Sequence, residues 1–255
     1  MIDYRPLNEV IRHDGLRLVL VKGMPSPWSQ AAKTIFEIKG LRFMAGGQIL
    51  GEKNEELVAW CGERNAPVVA WANERPITRW LDILYLAERL APAPALVPSD
   101  PLHRALMIGF SNELLGEFGI VWNRRLQGFG PAMESGGAPE HIARMAKEYR
   151  YNQADAALAG ARIASSLTAL ATQLHVQYER GAQYFIGDAL SALDIYFVTA
   201  MNTVVPLPPE QCPIPEAWRP AFVATDPKVV AALDPLLLRH RNKIFGECFR
   251  DPMEL

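Results

Sequence analysis

The sequence has no excess of either charge. Its 26 lysine and arginine residues stand against 28 aspartate and glutamate residues, which leaves a net charge of −2 at neutral pH. A strong basic excess is the electrostatic signature of proteins that bind nucleic acids or anionic membranes. We therefore expect neither a nucleic acid nor a membrane surface among the partners of this protein.

Long hydrophobic runs and paired cysteines are also missing. No segment approaches the roughly eighteen consecutive apolar residues of a membrane-spanning helix. The N-terminal stretch is polar and has no small-residue cleavage site, so we expect no signal peptide. Cys61, Cys212 and Cys248 form no closely spaced pair, which argues against a disulfide framework and a zinc site. These absences predict a reducing, cytoplasmic location and no bound metal.

The composition supports a large folded core. Hydrophobic residues make up 49% of the 255 positions and charged residues 21%. The clearest break is a proline-rich stretch at residues 91–101, where no helix can continue because proline lacks an amide hydrogen. We interpret residues 92–101 as a linker between a first domain, residues 1–91, and a second domain, residues 102–255.

The first domain alternates between strand and helix patterns. We predict strands at 16–21 and 41–43, a hairpin over 66–77, and helices over 26–40, 55–61 and 78–90. Ser26, Asn54 and Thr78 are the expected N-caps of these helices. The order β-α-β-α-β-β-α is typical of a mixed α/β layer.

The second domain carries only helical patterns. We predict helices over 103–126, 141–177, 193–204 and 227–245, and an irregular, proline-rich segment over 205–220. Ser191 and Asp194 have the spacing of a capping box, which predicts a helix start at that point. The basic run at 239–243 is interpreted as a solvated helix turn. The fold class is thus an α/β domain followed by an all-helical domain.

Ser26 lies where the first strand ends and a helix begins. Free backbone amides and the positive end of the helix dipole favour an anion at such a place. A serine hydroxyl there could hydrogen-bond a thiolate and lower the thiol pKa from its usual value of about 8.5. The alternative interpretation is that Ser26 only caps its helix.

Three local motifs resemble those of one family. Ser26-Pro27-Trp28-Ser29 opens the first helix, Ala66-Pro67-Val68-Val69 precedes the hairpin, and residues 184–196 carry a Phe-x-Gly segment that runs into Ser191-Ala192-Leu193-Asp194. Together they resemble the cytosolic glutathione S-transferases, with an N-terminal thioredoxin-like domain and an all-helical C-terminal domain. The resemblance covers roughly residues 16–200, with the motifs in the expected order.

The resemblance implies a site and a reaction. Glutathione would be the co-substrate, and its thiolate would be transferred to a small apolar electrophile. Ser26 would stabilise that thiolate, with Ser29 in reserve, and Pro67 would follow a cis peptide bond. The residues that the resemblance assigns to glutathione binding are Ser26, Trp28, Ser29, Ala66, Pro67, Thr78 and Arg79. It also implies a homodimer.

One departure concerns the γ-glutamyl end of glutathione. Where the family has an acidic residue followed by serine, this chain has Thr78-Arg79. Thr78 and Arg79 can contact a carboxylate, but neither offers a negative charge to the ammonium group. Asp82, one helical turn along, is the candidate residue to bind that ammonium group.

A pocket between the domains would hold the electrophile, since interdomain clefts commonly bind ligands. Trp122 and Arg125 are its candidate substrate residues. Core packing is the alternative interpretation for Trp122, and a solvated or dimer-facing surface is the alternative for Arg124 and Arg125. Thr78-Arg79 also leaves two further functions open. The chain could be a transferase-like binding protein without conjugating activity, or an enzyme for a different thiol or acid.

Overall fold

A computed structural model describes residues 2–255 and divides them into two compact units. The first unit contains residues up to Leu96, together with Leu207–Pro215 and Cys248–Leu255. The second contains Val97–Pro206 and Glu216–Glu247. The division at residues 96 and 97 falls inside the stretch predicted as the linker. The two later segments of the first unit were expected in the second domain. They are aperiodic, and no local pattern indicates which unit they pack against.

The first unit is a four-stranded sheet with four helices. Strand β2 pairs in parallel with β3 and antiparallel with β4, and β1 adds a parallel edge beside β3, giving the order β1-β3-β2-β4. This confirms the thioredoxin-like α/β architecture. The elements are β1 (Tyr4–Arg5), α1 (Leu7–Arg12), β2 (Leu16–Val21), α2 (Pro27–Ile38), β3 (Met44–Gln48), α3 (Glu55–Cys61), β4 (Val68–Trp71) and α4 (Trp80–Leu90).

Strand β3 differs from its prediction. A strand was expected at 41–43, but β3 occupies Met44–Gln48 and contains Gly46 and Gly47. Glycine disfavours strands because it has no side chain to pack, so the propensity signal pointed elsewhere. A Cβ on Gly46 would lie 3.3 Å from Val10 Cγ2 and 3.4 Å from Leu7 Cδ1. The glycine therefore lets α1, a helix without a sequence signal, pack closely on the sheet.

Helices α2 and α3 have nearly the bounds that their sequences predict. Helix α2 begins at Pro27, directly after Ser26, and the chain leaves it through Gly40 at φ +65°. Helix α3 spans Glu55–Cys61, as predicted, and Gly62 follows it at φ +79°. The expected cap by Asn54 is wrong, because its side chain makes no bond to the helix and instead bonds the backbone of residues 49 and 52.

The second unit is entirely helical, as predicted. Helix α6 packs on α8, and α5 packs on α9. Among residues 2–255, no helix combines the length and the hydropathy needed to cross a bilayer. The elements are α5 (Pro101–Leu115), α6 (Ile120–Glu134), α7 (Glu140–Glu148), α8 (Gln153–Glu179), α9 (Ala192–Met201), a 3₁₀ turn (Arg219–Phe222), α10 (Pro227–Ala231) and α11 (Pro235–Cys248).

Three of the predicted helices are each two helices in the structure. The stretch 103–126 breaks after Leu115, where Phe118 adopts φ +64°. The stretch 141–177 breaks before Asn152, whose side chain accepts the amide of Asp155 and starts α8. The stretch 227–245 breaks before Pro235. Apolar spacing continues through each break, so periodicity alone does not reveal it.

The predicted capping box at the start of α9 is confirmed and is fully buried. Asp194 Oδ2 accepts the Ser191 amide at 3.0 Å and the Ser191 hydroxyl at 2.9 Å. Asp194 Oδ1 accepts the amide of Phe185 at 3.1 Å and lies 2.9 Å from His240 Nε2. The interpretation of residues 239–243 as a solvated turn is therefore wrong for His240 and Arg241, which are buried, whereas Arg239 and Asn242 are exposed.

Helices α8 and α10 meet at Gly160, and this contact predicts the effect of a substitution. Asp226 caps α10, accepting the amide of Lys228 at 2.9 Å and Gln127 Nε2 at 3.1 Å. A Cβ on Gly160 would lie 2.7 Å from Asp226 Cγ and closer still to its Oδ2. We expect Gly160→Ala to lower the free energy of unfolding by about 1–3 kcal/mol, measured by urea denaturation.

Gly128→Ala is the matched control for this prediction. Gly128 lies inside α6, and an added Cβ there meets no atom within 4 Å. Alanine is favoured over glycine in a helix interior by about 0.8–1.0 kcal/mol, so this variant should be unchanged or more stable. Equal losses of stability in both variants would contradict the proposed contact.

Candidate functional site

Ser26 occupies the N-cap position of α2 but does not cap the helix with its side chain. Its backbone is extended at φ −59° and ψ 122°, and its hydroxyl makes no hydrogen bond to the helix. Only its carbonyl joins the helix, accepting the amide of Gln30 at 2.9 Å. The residue is 6% exposed. The interpretation of Ser26 as a side-chain cap is therefore wrong, and its hydroxyl is not committed to the first turn of α2.

Ser29 has a structural bond that Ser26 lacks. Its hydroxyl accepts the amide of Val21, the last residue of β2, at 3.1 Å, and both groups are buried. This bond fixes the end of the strand against the first turn of the helix. Trp28, between the two serines, is partly exposed at the second position of α2.

Ala66 and Pro67 precede β4 at the end of the sheet where β2 stops and the chain continues into α2. The bond between them is cis, as the resemblance implies. Strands β2 and β4 are antiparallel, with Val19 opposite Val68. Strand β4 begins at Val68, directly after Pro67, and β2 ends at Val21, five residues before Ser26. Ala66 is partly exposed and Pro67 is buried.

Thr78 and Arg79 reach this edge through the hairpin. Ile77 forms a bridge with Val69, and the bridge register places Thr78 and Arg79 beside the start of β4. The predicted cap by Thr78 is wrong, because α4 begins at Trp80 and its N-cap residue is Arg79. The extended hairpin holds one more residue than the propensity pattern suggested.

The start of α4 presents one group of each charge. Arg79 is exposed at the N-cap, with φ −80° and ψ 134°, and makes no side-chain bond to the helix. Asp82 lies in the first turn and is also exposed. The helix dipole stabilises an acidic side chain in the first turn, such as Asp82, and it destabilises the positive charge of Arg79 at the same end. The guanidinium and carboxylate are thus both available to a zwitterionic ligand.

The candidate substrate residues of the second unit belong to an aromatic cluster around Tyr149. The rings of Trp122 and Tyr149 are 4.8 Å apart at 51°, and Phe129 lies 5.6 Å from the same ring. Burial raises the pKa of Tyr149. Arg125 forms a hydrogen bond with the Tyr149 side chain, and this bond and the positive charge of Arg125 both act to lower that pKa. Trp122 and Arg125 are both partly exposed. They share one aromatic partner, which fixes their positions on α6.

Arg124 and Asn123 have structural roles that the sequence did not reveal. Arg124 donates to the carbonyl oxygens of Thr203 at 2.8 Å, Ala221 at 3.1 Å and Val223 at 3.0 Å. Its interpretation as a solvated or partner-facing residue is therefore wrong. Asn123 is fully buried, and its amide donates to the carbonyls that precede α6.

Neither metal ligands nor a reactive cysteine accompany the candidate site. Among residues 2–255, no group of three or more His, Cys, Asp and Glu side chains could hold a metal ion. None of the three cysteines forms a disulfide within the described residues. Cys61 contacts the carbonyls of Leu57 and Glu63, and burial raises its pKa, which disfavours a nucleophilic thiolate.

Residue patterns do not predict the buried polar contacts of α2. Gln30 and Lys33 are almost completely buried, and Glu254 contacts both. More than two hundred positions separate Glu254 from α2, and no periodic pattern connects them. The available signal is weak: polar residues recur at Gln30, Lys33 and Glu37, along one side of a helix whose other residues are mostly apolar.

Comparison with known proteins shows the fold. No family model matches the sequence, and no curated protein matches it. A glutathione transferase from Methylobacterium radiotolerans, in complex with glutathione sulfonate, has a TM-score of 0.61 at 15% identity, covering 94% of this chain and 96% of that one. A maleylacetoacetate isomerase from Methylobacterium extorquens, with bound malonate and glutathione, has a TM-score of 0.61 at 18% identity, covering 90% and 92%.

A third similar structure is a bacterial maleylpyruvate isomerase of the zeta class of glutathione transferases. Its TM-score is 0.59 at 18% identity, and the match covers 91% of this chain and 92% of that one. All three matches span both units of the chain at low sequence identity. The chain therefore has the fold of the glutathione transferases.

Proposed function

We propose that this protein binds glutathione and transfers its thiolate to a small apolar electrophile. The observation that carries the proposal is the Ser26 hydroxyl, which stands at the start of α2 without serving as its cap. The cis-proline edge beside it and the shared fold support the same placement. Fold alone does not determine function, so the proposal rests on this local geometry.

In the proposed reaction, Ser26 stabilises the glutathione thiolate. Its hydroxyl donates a hydrogen bond to the sulfur, and the free amides at the start of α2 add the positive end of the helix dipole. Both interactions favour the ionised thiol and so lower its pKa. The sulfur then forms a bond to an electrophilic carbon, and the displaced electron pair leaves with a leaving group or moves into a conjugated acceptor. Catalysis is mainly positioning and electrostatic stabilisation.

The start of α4 is proposed to hold the γ-glutamyl end. Arg79 pairs with the carboxylate, which its planar guanidinium can bind with two parallel hydrogen bonds. Thr78 adds its hydroxyl to the same group, and Asp82 accepts the ammonium. Trp28, Ala66 and Pro67 line the cysteinyl part, where the backbone of Ala66 pairs with the peptide of the ligand, and the buried Ser29 acts only through the junction that it holds with Val21.

The remaining parts of the proposal concern the acceptor and the assembly. Trp122 and Arg125 contact the electrophile, the first through its ring and the second through the apolar part of its side chain. The protein acts as a homodimer in the cytoplasm, a setting that agrees with three cysteines that form no disulfide within the described residues. No metal takes part.

A second candidate function is a binding protein that has the transferase fold without conjugating activity. The substitution of Thr78-Arg79 for an acidic residue and serine favours it, because the first turn of α4 then offers a cation in place of an anion. An enzyme that uses a different thiol or a small acid would fit the same change, with Arg79 binding its carboxylate.

The two serines at the start of α2 should respond differently to substitution. In Ser26→Ala, the thiolate loses a hydrogen-bond donor, so we expect kcat/KM to fall roughly a hundredfold and the pKa of bound glutathione to rise. Its unfolding free energy should change by less than about 0.5 kcal/mol. Activity with a chromogenic electrophile, thiolate absorbance against pH, and urea denaturation measure the three quantities.

Ser29→Ala is the matched control. It leaves the buried amide of Val21 without its acceptor, so it should lower the unfolding free energy by about 1–3 kcal/mol. Its bound-thiol pKa should stay near the wild-type value in the folded protein. A Ser26→Ala variant with unchanged turnover and unchanged thiol pKa would refute the proposed role of Ser26.

Glutathione itself provides a direct test of binding. A ligand at 100 times its Kd stabilises a protein by about 2.7 kcal/mol, which a thermal-shift titration detects. Arg79→Ala should weaken glutathione binding about tenfold or more, because a charge-assisted hydrogen bond contributes roughly 1.5–3 kcal/mol. Arg75→Ala, in the exposed hairpin turn, should bind as the wild type does.

The titration also separates the candidate functions. No stabilisation of the wild type at millimolar glutathione would exclude the transferase and favour the binding protein. Stabilisation by another small carboxylate, lost in Arg79→Ala, would favour the enzyme for a different thiol or acid.

A further inference from the structure

One side of α2 is polar although it is buried. Gln30, Lys33 and Glu37 follow one another at intervals of three and four residues, so they share a side of the helix. Gln30 is 2% exposed and Lys33 is 1% exposed. Buried polar groups are nearly always hydrogen-bonded or paired, and a buried charge without a partner is costly. The partners of these side chains therefore decide how firmly α2 is held.

The partners lie in one short segment, residues 250–254, which we name the strap. Gln30 Nε2 donates to the Glu254 carbonyl at 2.7 Å. Lys33 Nζ lies 3.6 Å from Glu254 Oε2, and Arg250 Nε lies 2.9 Å from Glu37 Oε1. Gln30, Lys33 and Glu37 thus all contact the strap.

The strap is itself fixed to the first unit. The amide of Met253 donates to the carbonyl of Gln211 at 2.8 Å, and the Met253 side chain is 2% exposed. Its sulfur lies 3.9 Å from the sulfur of Cys212. Met253 therefore acts as an apolar anchor between the two polar contacts that the strap makes with α2.

A continuous set of bonds joins the strap to Ser26. The Gln30 side chain bonds the Glu254 carbonyl, and the Gln30 amide bonds the Ser26 carbonyl at 2.9 Å. The first turn of α2 has no side-chain cap. An uncapped turn frays more readily, since its free amides lack intrahelical partners. The strap supplies a restraint at the turn where the cap is missing.

We propose that the strap is a positioning device for the site, in which Glu254 and Gln30 hold the first turn of α2 and so place Ser26. This inference rests on the proposed function, because Ser26 is its end point. Glu254 and Gln30 are positioning residues and need not touch glutathione.

The charges around Lys33 make the device sensitive to the loss of Glu254. Burial lowers the pKa of Lys33, and the positive charge of Arg250 lowers it further. The negative charges of Glu37 and Glu254 act in the opposite direction and stabilise the charged form of Lys33. Removing one partner of a buried ion pair leaves the other charge uncompensated. The Glu254→Gln variant should therefore loosen the strap even though its backbone carbonyl is still present.

The test compares Glu254→Gln and Gln30→Met with Asp251→Asn. Asp251 belongs to the strap but is exposed, and its carboxylate contacts Gln211 rather than α2. Gln30→Met removes the hydrogen bond to the Glu254 carbonyl without leaving a charge unpaired. If Glu254→Gln does not fold, Gln30→Met alone tests whether the strap restrains α2. Two quantities are measured on the full chain: hydrogen exchange of α2 amides, and the thiol pKa of bound glutathione.

We expect α2 amides to exchange about tenfold faster in Glu254→Gln and Gln30→Met, with exchange in α4 unchanged. The thiol pKa of bound glutathione should rise by about half a unit or more in both variants, and Asp251→Asn should match the wild type. A merely structural strap would alter stability without moving this pKa.

Three results would decide against parts of the inference. Unchanged α2 exchange in both variants would overturn the strap itself. Faster α2 exchange with an unchanged thiol pKa would overturn its positioning role. If the wild type binds no glutathione, the proposed function fails and the positioning role fails with it, and exchange at α2 still judges whether the strap restrains the helix.

Discussion

The hydrogen bond between the Val21 amide and the Ser29 hydroxyl is the constraint on which the candidate site depends. It joins the last residue of β2 to the first turn of α2 in a place that water does not reach. With Ser29 holding this junction, Ser26 needs neither to cap the helix nor to close the strand. Two serines three residues apart have thereby separated tasks, and only one hydroxyl is left without a structural bond.

Buried ionisable side chains connect distant parts of the chain in both units. Lys33 forms an ion pair with Glu254 in the first unit, and Asp194 is hydrogen-bonded to His240 in the second. Each pair joins a helix to a segment synthesised much later. Such pairs add little net stability when compared with apolar residues of similar volume, because desolvation offsets the attraction. Their effect is better described as selection of one arrangement, since a displaced partner would leave a charge buried alone.

Local patterns predicted the parts of the fold whose causes are local. Three examples are the start of α2 at Pro27, the bounds of α3 and the capping box at Ser191. Each follows from residues within one or two helical turns. The cis bond before Pro67 came instead from the resemblance to a family, as did the combination of a sheet domain and a helical domain.

The parts that could not be predicted depend on tertiary contacts. Strand β3 contains two adjacent glycines, and it is a strand because it pairs with β1 on one side and β2 on the other. Residue types also did not reveal which serine would be bonded, since Ser26 and Ser29 are chemically identical and only the position of Val21 distinguishes them. The partners of Lys33 and His240 are far away in sequence, where periodicity carries no information.

The first unit is discontinuous in sequence, and this affects how the chain can fold during translation. Residues up to Leu96 are synthesised first, whereas Leu207–Pro215 follows only after Val97–Pro206, and Cys248–Leu255 only after the whole helical unit. Domains commonly fold in order as they emerge, whereas here the earlier unit must wait for the later one. Until then Gln30 and Lys33 lack their native partner Glu254. The sheet unit is therefore incomplete until its last segment has been made, and an excised copy of the residues up to Leu96 would lack both later segments.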